Sequence, residues 1–229
     1  CGNSEMTFSL VAKCEKTNMF GVAIASSSPA VAARCSYTRA GVGAVSSQNV
    51  TDPSLGPLTL DYIEKGSSAS QAINQLRETS KNLEFRQVLV IDRNGQTSHH
   101  SGKNSLGIWA DASGINVLSA GNLLANKGVS EAIVHGFEKS SGHLADRLIS
   151  ALMAGLHEGG EAGPVHSAGI KVSHTVSWPI VDLRCDWSET CPIEMVSDAW
   201  KVYKPQMDAY LKRALDPSKA PSYGVPGDL

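Results

Sequence analysis

The residue with the clearest chemical potential in this sequence is Thr7, which follows Met6 and opens a run of β-formers that ends at Ala12. Apolar and polar residues alternate from Phe8 onward, which predicts a strand with one buried face and Thr7 at its first position. If processing removes the chain through Met6, the Thr7 hydroxyl becomes a nucleophile whose base is the α-amine of the same residue. An α-amine titrates close to neutral pH and suits that role without a large perturbation. The structural alternative is that Thr7 is simply a β-branched residue at the start of a strand.

The residues that precede this strand are polar and glycine-containing, and they do not resemble the beginning of a strand. We interpret residues 1–6 as a leader or as a cloning remnant. One alternative is a mature bacterial lipoprotein acylated at Cys1, and another is Cys1 itself as an N-terminal nucleophile. The thiol nucleophile fits less well, because a catalytic first residue should be held by the strand that follows it, and here a five-residue stretch intervenes.

Length and composition are those of an ordinary soluble globular protein. The chain has 229 residues, of which 41% are hydrophobic and 18% charged, enough to bury a core within one β-rich domain. No apolar run is long enough to cross a bilayer. Twenty basic residues balance 22 acidic ones without a basic cluster, which excludes the surface that nucleic-acid binding requires. We expect a cytoplasmic protein or, alternatively, a lipoprotein anchored through Cys1.

Cysteine and histidine residues are scattered rather than arranged as metal ligands. His99 and His100 are adjacent and would face opposite sides of a strand, which prevents them from sharing one metal. The cysteines show no CxxC spacing, although Cys185 and Cys191 could bridge a short loop in an oxidising compartment. Buried reduced thiols are the simpler interpretation. We expect no metal and no other cofactor.

The rest of the chain alternates between blocks of strands and pairs of helices. The residue patterns predict strands at 20–26, 41–49, 85–91, 96–101, 115–120, 165–173 and 180–187. They predict helices at 58–65, 68–79, 129–138, 144–157 and 192–204, then a second helical stretch to Leu215 after a break or kink at Pro205. This order favours two packed sheets with helices on both outer faces, a four-layer αββα sandwich, as one option among α+β arrangements.

The domain boundaries follow from the same patterns. Residues 7–215 are expected to form a single domain. Residues 216–229 are rich in proline and glycine, so they are expected to lie extended on the surface or across a partner subunit.

Several segments distributed along the chain resemble one protein family. They are Met6–Ala12, Ala40–Val45 with Gln48, Arg86–Val88, Gly121–Asn122 and Val181–Arg184. Together they resemble the family catalogued as domain of unknown function 1028, which is placed within the N-terminal nucleophile (Ntn) hydrolase superfamily. The tail at 220–228 resembles one branch of that family, so the likeness covers 6–228. It implies an αββα sandwich and an amide-hydrolysing site headed by Thr7, and it implies no particular substrate.

The resemblance also suggests which residues accompany Thr7. In the superfamily an N-terminal Thr, Ser or Cys attacks a carbonyl carbon, the α-amine shuttles the proton, and N–H groups hold the oxyanion. Asn122 is the candidate oxyanion donor, with an N-cap or turn asparagine as the alternative. Arg86 is the candidate ligand of a substrate carboxylate, with an ion pair to Glu84 as the alternative. The candidates for the pocket wall are Gln48, Ser46, His100 and His166.

The sequence departs from the family pattern in two places. Many members carry an acidic, arginine and glutamine pattern after the long helix, where this chain has Gly159–Ser167. If that loop contacts substrate, His166 would take over a polar role and the substrate would differ. With residues 1–6 attached, Thr7 has an amide nitrogen in place of a free amine, so the chain would be an unprocessed or inactive form.

These observations leave two main hypotheses. The first is an Ntn-type amidohydrolase that cleaves a C–N bond of a small molecule or short peptide. The second is a non-catalytic binding or scaffold protein on the same fold. In either case we expect a homo-oligomer that binds no nucleic acid and has no transmembrane segment.

Overall fold

The computed structural model describes residues 7–227, so the predicted leader at 1–6 lies outside the described residues. The strands are β1 (Thr7–Lys13), β2 (Phe20–Ser26), β3 (Ser36–Arg39), β4 (Gly43–Asn49), β5 (Arg86–Asp92), β6 (Thr97–Ser101), β7 (Ala110–Gly114), β8 (Val117–Asn122), β9 (Ser167–Ser173) and β10 (Val181–Cys185). The helices are α1 (Val31–Cys35), α2 (Leu55–Glu64), α3 (Ala69–Thr79), α4 (Gly128–Lys139), α5 (Leu144–His157), α6 (Pro192–Tyr203) and α7 (Met207–Leu215).

The strands form two antiparallel sheets. The larger sheet has the order β10-β9-β2-β1-β8-β7, and the smaller one has the order β3-β4-β5-β6. Strand β1 lies in the interior of the larger sheet, between β2 on one side and β8 on the other. The predicted α+β class is therefore confirmed as two antiparallel sheets with helices.

The alternation of residues along the strands determines how these elements pack. One face of β1 packs against α4 and α5 through Phe8 and Leu10. One face of β5 packs against α2 and α3 through Val88 and Val90. The opposite faces of the two sheets meet each other across an apolar layer that includes Val11, Leu89, Ile91 and Leu118.

The elements that the sequence did not predict are α1, β3 and β7. Strand β7 is an edge strand of small and polar residues that alternate between half-buried and exposed positions, so it lacks the apolar pattern of a strand. It forms because β8 supplies an antiparallel partner. The predicted strand at 41–49 begins only at Gly43, and β3 pairs with it.

The C-terminal part follows the expected break near Pro205, where a 3₁₀ turn at Lys204–Gln206 separates α6 from α7. The described part of the tail is mostly exposed, and the Arg213 guanidinium stacks 3.6 Å from the centre of the Tyr223 ring. Between residues 7 and 227, the cysteines form no disulfide bond with one another, and none of the helices has the length and apolar character needed to span a membrane.

Candidate functional site

The layer between the two sheets changes from apolar to polar toward the end where β1 begins. Side chains alternate along β1, so Thr7 and Ser9 face the smaller sheet on the same side as Val11. The polar end consists of the buried side chains of Thr7, Ser9, Ser26, Ser46, Gln48, Gln87 and Asn122. Burying so many polar groups is costly unless each is hydrogen-bonded, and a hydrophobic core has no use for them. This end of the layer is therefore the candidate site.

Thr7 lies at the centre of this polar end. It is the first residue of β1, it is 5% exposed, and it pairs with Ser26 of β2 and with Asn122 of β8. Its Oγ1 lies 3.2 Å from Ser26 Oγ. The strand register thus places a hydroxyl on one side of Thr7 and a carboxamide on the other.

A chain of hydroxyl groups connects Thr7 to a cation. Ser26 Oγ lies 2.9 Å from Ser28 Oγ and also accepts the Ser28 N–H at 3.1 Å. Arg34, on α1, donates from Nη2 to Ser28 Oγ at 3.0 Å and to the Pro29 carbonyl at 2.8 Å.

The charge of the guanidinium favours one direction for the hydrogen bonds of this chain. Because Arg34 can only donate, Ser28 Oγ accepts at that end, and the positive charge favours O–H groups that point away from it. In that arrangement Ser28 donates to Ser26, and Ser26 donates to Thr7 Oγ1. The chain would stabilise negative charge that develops on the Thr7 oxygen.

A carboxamide network supports the other side of the site. Gln48 Oε1 accepts from Ser9 Oγ at 2.5 Å and from Ser46 Oγ at 3.1 Å. Gln48 Nε2 donates to Gln87 Oε1 at 2.7 Å and to the Ala120 carbonyl at 3.1 Å. All hydrogen-bonding positions of the Gln48 amide are used. Gln48 and Ser46, the pocket-wall candidates, therefore lie at this polar end, and the Gln48 bonds to Ser9 and Ala120 connect the two sheets.

Asn122 is held less tightly than the two glutamines. Its Nδ2 donates to Gln87 Oε1 at 3.3 Å, and its Oδ1 is buried without a hydrogen-bond partner within residues 7–227. Nδ2 carries two hydrogens and uses one for Gln87, so the other can donate to a ligand next to Thr7, whereas Oδ1 can only accept. This placement is compatible with an oxyanion donor.

Backbone strain is concentrated at the same end. Ala30 and Leu123 have φ angles of 52° and 49°, and in the described chain they are the only residues other than glycine and asparagine with positive φ. Leu123 follows Asn122, and Ala30 precedes the helix that carries Arg34. Such conformations cost on the order of 1 kcal/mol or more each and persist where the surrounding structure imposes them.

A buried carboxyl group lies at the edge of the site. Glu161 is 4% exposed, and both of its carboxylate oxygens lie 3.0 Å from the backbone nitrogen of Ser27. Burial raises the pKa of Glu161 to about 8, although the hydrogen bonds from Ser27 act in the opposite direction. Glu161 belongs to the loop between α5 and β9, which pairs with the chain at Leu124.

The structure places two predicted residues away from Thr7. Arg86 lies on the opposite face of β5 from Gln87, and its Nη1 donates to the Val50 carbonyl. Over the described range it forms no ion pair with Glu84. His100 pairs with Val88 on this same face, and its Nε2 lies 2.9 Å from the Leu83 carbonyl. Burial lowers the pKa of His100.

His166 borders the site from the other side. Its backbone N–H donates to the Ser26 carbonyl at 2.8 Å. Its ring stacks on Trp187 at 4.3 Å between centroids, and its Nδ1 lies 2.8 Å from the Ser188 carbonyl, which requires the proton on Nδ1. His166 therefore adjoins the strand end that carries Ser26, with its ring engaged by the 187–188 segment.

Six residues of the site were not among the predicted site residues: Ser9, Ser26, Ser28, Arg34, Gln87 and Glu161. The available signal for Ser26 and Ser28 was a run of three serines that begins at the end of a buried strand. Arg34 lies in the short helix α1 that follows these serines, and nothing in its local sequence pattern distinguishes it from a surface arginine. Glu161 stands in a glycine-rich loop, where a carboxylate is ordinarily exposed.

The sequence matches the Family of unknown function (DUF1028) over residues 7–196. The chain belongs to this family. No curated protein matches it.

Solved structures give the second comparison. The chain is similar to protein SPO2555 from Silicibacter pomeroyi, of the same family, with a TM-score of 0.81 and 24% identity over 87% of this chain and 89% of that one. At this identity the likeness shows a shared fold. Anbu (ancestral beta-subunit) from Yersinia bercovieri aligns over 89% of this chain and 97% of its own, at 10% identity and a TM-score of 0.37, which is too low to carry an argument.

The part of the chain that matches the family contains the residues of the candidate site. It begins at Thr7, the first residue of β1, and it includes Ser26, Arg34, Asn122 and Glu161. It ends at residue 196 within α6, so α7 and the tail lie beyond the part of the chain that the family shares.

Proposed function

We propose that this protein is an Ntn-type amidohydrolase that cleaves a C–N amide bond of a small molecule or short peptide, with Thr7 as the nucleophile once the preceding residues are removed. The observation that carries the proposal is the position of Thr7. It opens a central strand at the polar end of the inter-sheet layer, between Ser26 and Asn122. A threonine that only opened a strand would need neither neighbour to be polar.

The fold agrees with this assignment. The order of layers, α4 and α5, then the larger sheet, then the smaller sheet, then α2 and α3, is that of a four-layer αββα sandwich. We assign this arrangement to the Ntn-hydrolase type. In that type the nucleophile heads a central strand, as Thr7 heads β1 here.

The residues present are sufficient for the chemistry. The neutral α-amine of Thr7 takes the Oγ1 proton while Oγ1 bonds to the substrate carbonyl carbon, and Asn122 Nδ2 donates to the resulting oxyanion. The ammonium then returns the proton to the leaving nitrogen as the C–N bond breaks, which leaves an ester on Thr7. Water attacks the ester with the amine again as base, and the acid is released. Ser26 donates to Oγ1 when it departs from the carbonyl carbon.

The same geometry supports a second candidate, a binding protein without catalysis. With residues 1–6 attached, Thr7 has an amide nitrogen that cannot act as a base. The two functions therefore differ in one covalent feature, the free amine of Thr7, and this feature can be set experimentally.

The test compares three forms of the protein. One begins at Thr7, produced by cleavage of a removable N-terminal fusion; the second is the 229-residue chain; the third begins with Thr7→Ala. Intact mass fixes each N-terminus, and hydrolysis is followed as amine release from a panel of N-acyl amides and short peptides. A β-lactone probe reports the nucleophile without requiring the true substrate, because acylation adds a defined mass to the peptide that begins at Thr7.

We expect amide hydrolysis and probe labelling only in the form that begins at Thr7. Thr7→Ser in the same form should retain labelling, because serine keeps the hydroxyl. Thr17→Ala, at an exposed threonine in the β1–β2 connection, is the matched control and should have no effect. Equal labelling of the 229-residue chain, or labelling of the Thr7→Ala form at another residue, would refute the proposal and favour the binding protein.

A further inference from the structure

The buried carboxyl group of Glu161 lies at the end of β1, and the direction of one peptide bond locates it. The Ser26 carbonyl accepts the His166 N–H and therefore points toward β9. In a trans peptide the carbonyl and the following N–H point in opposite directions, and the described chain has no cis peptide. The Ser27 N–H therefore points toward the β1 side of β2. Glu161 accepts this N–H, so its carboxyl group lies on the β1 side.

The backbone of the loop that carries Glu161 is hydrogen-bonded to the segment that follows β8. Ala162 N donates to the Leu123 carbonyl at 3.1 Å, and Ala125 N donates to the Gly160 carbonyl at 3.1 Å. Residues 160–162 thus run beside the segment that continues β8 past Asn122. Glu161 extends from this segment to Ser27, which continues β2. It occupies the space between the continuations of the two strands that flank β1.

The α-nitrogen of Thr7 is the first backbone atom of β1, so it lies at this end of the strand. Thr7 pairs with Ser26 and Asn122, the last residues of the flanking strands. In a chain that begins at Thr7, that nitrogen is a free amine that ends β1 opposite the carboxyl group.

We propose that Glu161 is a positioning residue that binds the α-amine of an N-terminal Thr7 by a charge-assisted hydrogen bond and holds it for proton exchange with Thr7 Oγ1. This inference rests on the proposed function. It adds a residue that does not contact the substrate and acts through the amine.

The electrostatics of the site favour such a pair. An isolated carboxylate is costly to bury, and Glu161 keeps its proton up to a pKa of about 8 because burial disfavours the charged form. An ammonium group beside it would favour the carboxylate, and the carboxylate would raise the pKa of the amine. The two groups would titrate as one coupled pair that shares a proton around neutral pH.

The surrounding elements supply few competing charges. The segment 123–125 is Leu-Leu-Ala, and the segment 26–28 consists of serines. Arg34 donates to Ser28 and Pro29, and the His166 ring is stacked on Trp187. The amine of Thr7 is thus the cation whose position matches the Glu161 carboxyl group.

The experiment measures the pKa of the Thr7 amine directly. The form that begins at Thr7 is treated with limiting acetylating reagent across a pH series, and the rate of acetylation at the Thr7 α-nitrogen is obtained from the mass of the N-terminal peptide. Glu161→Gln keeps the size of the side chain and an acceptor for the Ser27 N–H while it removes the charge. Glu158→Gln, at an exposed glutamate in the same loop, is the matched control.

We expect Glu161→Gln to lower the apparent pKa of the Thr7 amine by about 1 pH unit or more, because the carboxylate no longer stabilises the ammonium. Glu161→Asp should give a smaller decrease, and Glu158→Gln none. If Glu161→Gln fails to fold, the Glu161→Asp comparison still decides, since an unchanged pKa in that variant overturns the inference. An unchanged pKa in a folded Glu161→Gln variant overturns it as well.

The acetylation readout does not depend on hydrolysis. A shifted amine pKa in a protein that cleaves no amide would support the Glu161 contact and refute the proposed function. Hydrolysis by the form that begins at Thr7, together with an unshifted amine pKa in Glu161→Gln, would support the proposed function and refute the Glu161 contact.

Discussion

Thr7 Oγ1 and Ser26 Oγ lie 3.2 Å apart across the first residue pair of the β1–β2 hairpin, and both side chains are buried. The hydrogen bond from Ser28 N–H to Ser26 Oγ fixes the second hydroxyl from behind. A buried hydroxyl held in this way has little freedom to reorient, so it presents a preorganised dipole to Thr7. This pairing links the position of Thr7 at the start of the strand to the chemistry proposed for it.

The first prediction tests that pairing. Ser26→Ala in the form that begins at Thr7 should lower kcat about 10-fold to 100-fold with a smaller change in KM, because the lost donor acts on the Thr7 oxygen during reaction. The free energy of unfolding should fall by about 1 kcal/mol, because hydrogen bonds to Ser26 Oγ are lost. Steady-state kinetics and urea titration measure both. Ser98→Ala, a half-buried serine on β6, is the control, and an unchanged kcat in Ser26→Ala would refute donation from Ser26 Oγ to Thr7 Oγ1.

The second prediction concerns the cation at the end of the hydroxyl chain. Arg34→Gln should lower kcat, because a neutral amide no longer polarises the Ser28 and Ser26 hydroxyls toward Thr7. Arg34→Lys should restore part of the rate, since it keeps the charge but not the geometry of the guanidinium. Arg77→Gln, at an exposed arginine of α3, should leave kcat unchanged. Equal rates for Arg34→Gln and Arg34→Lys would show that the charge plays no part.

The central strand could be predicted because its alternation is local. The hairpin with β2 needs only a short connection, so sequence neighbours suffice to define it. The prediction of a single buried face was wrong, because residues 7–12 are buried on both sides, by helices on one and by the smaller sheet on the other. Helix α5 could also be predicted from a local pattern, because its leucines recur at helical spacing along one face. Strand β7 could not be predicted, because its residues have no apolar pattern and its pairing with β8 creates it.

In the candidate site, too, residues with a local sequence signal could be predicted, and residues that depend on distant contacts could not. Thr7 could be selected from sequence because it opens a predicted strand, and Asn122 because the family resemblance implied an oxyanion donor and this residue follows the predicted strand at 115–120. Glu161 could not, because its burial depends on contact with Ser27, 134 residues earlier in the chain. Arg86 illustrates the converse limit: its residue type suggested a ligand, and the alternation of β5 turns it away from Gln87 and the inter-sheet layer.

The third prediction concerns Asn122. Asn122→Ala should lower kcat about 10²-fold to 10³-fold if its Nδ2 donates to the oxyanion. The stability cost should be small, because the amide makes one long hydrogen bond at 3.3 Å and its Oδ1 has no partner among the described residues. Asn126→Ala removes bonds to Gly128 and Glu158 near the start of α4 and is the control for the loss of an asparagine. A kcat within twofold of the parent would exclude Asn122 as a donor.

The fourth prediction concerns the stability that the Gln48 hydrogen bonds give to the site. Gln48→Ala removes four hydrogen bonds and leaves Ser9 Oγ and Gln87 Oε1 in the interior with fewer partners. The free energy of unfolding should fall by about 3 kcal/mol. Gln96→Ala, at an exposed position of the β5–β6 turn, should change it by less than about 0.5 kcal/mol. A loss below about 1 kcal/mol in Gln48→Ala would mean that water replaces the network.

The fifth prediction concerns the pH dependence of stability in the 229-residue chain, where Thr7 has no free amine. Burial raises the pKa of Glu161 from 4.5 to about 8. Between these two pH values the folded chain keeps a proton on Glu161 that the unfolded chain has released. The contribution of this proton is fully present below pH 4.5 and is lost as the pH rises toward 8. Glu161→Gln cannot ionise, so its free energy of unfolding should exceed that of the parent increasingly from pH 5 to pH 8 and should match it near pH 4. Urea titrations at these pH values, with Glu158→Gln as the control, measure the difference. A difference that stays constant with pH would show that the Glu161 carboxyl group is ionised in the folded chain.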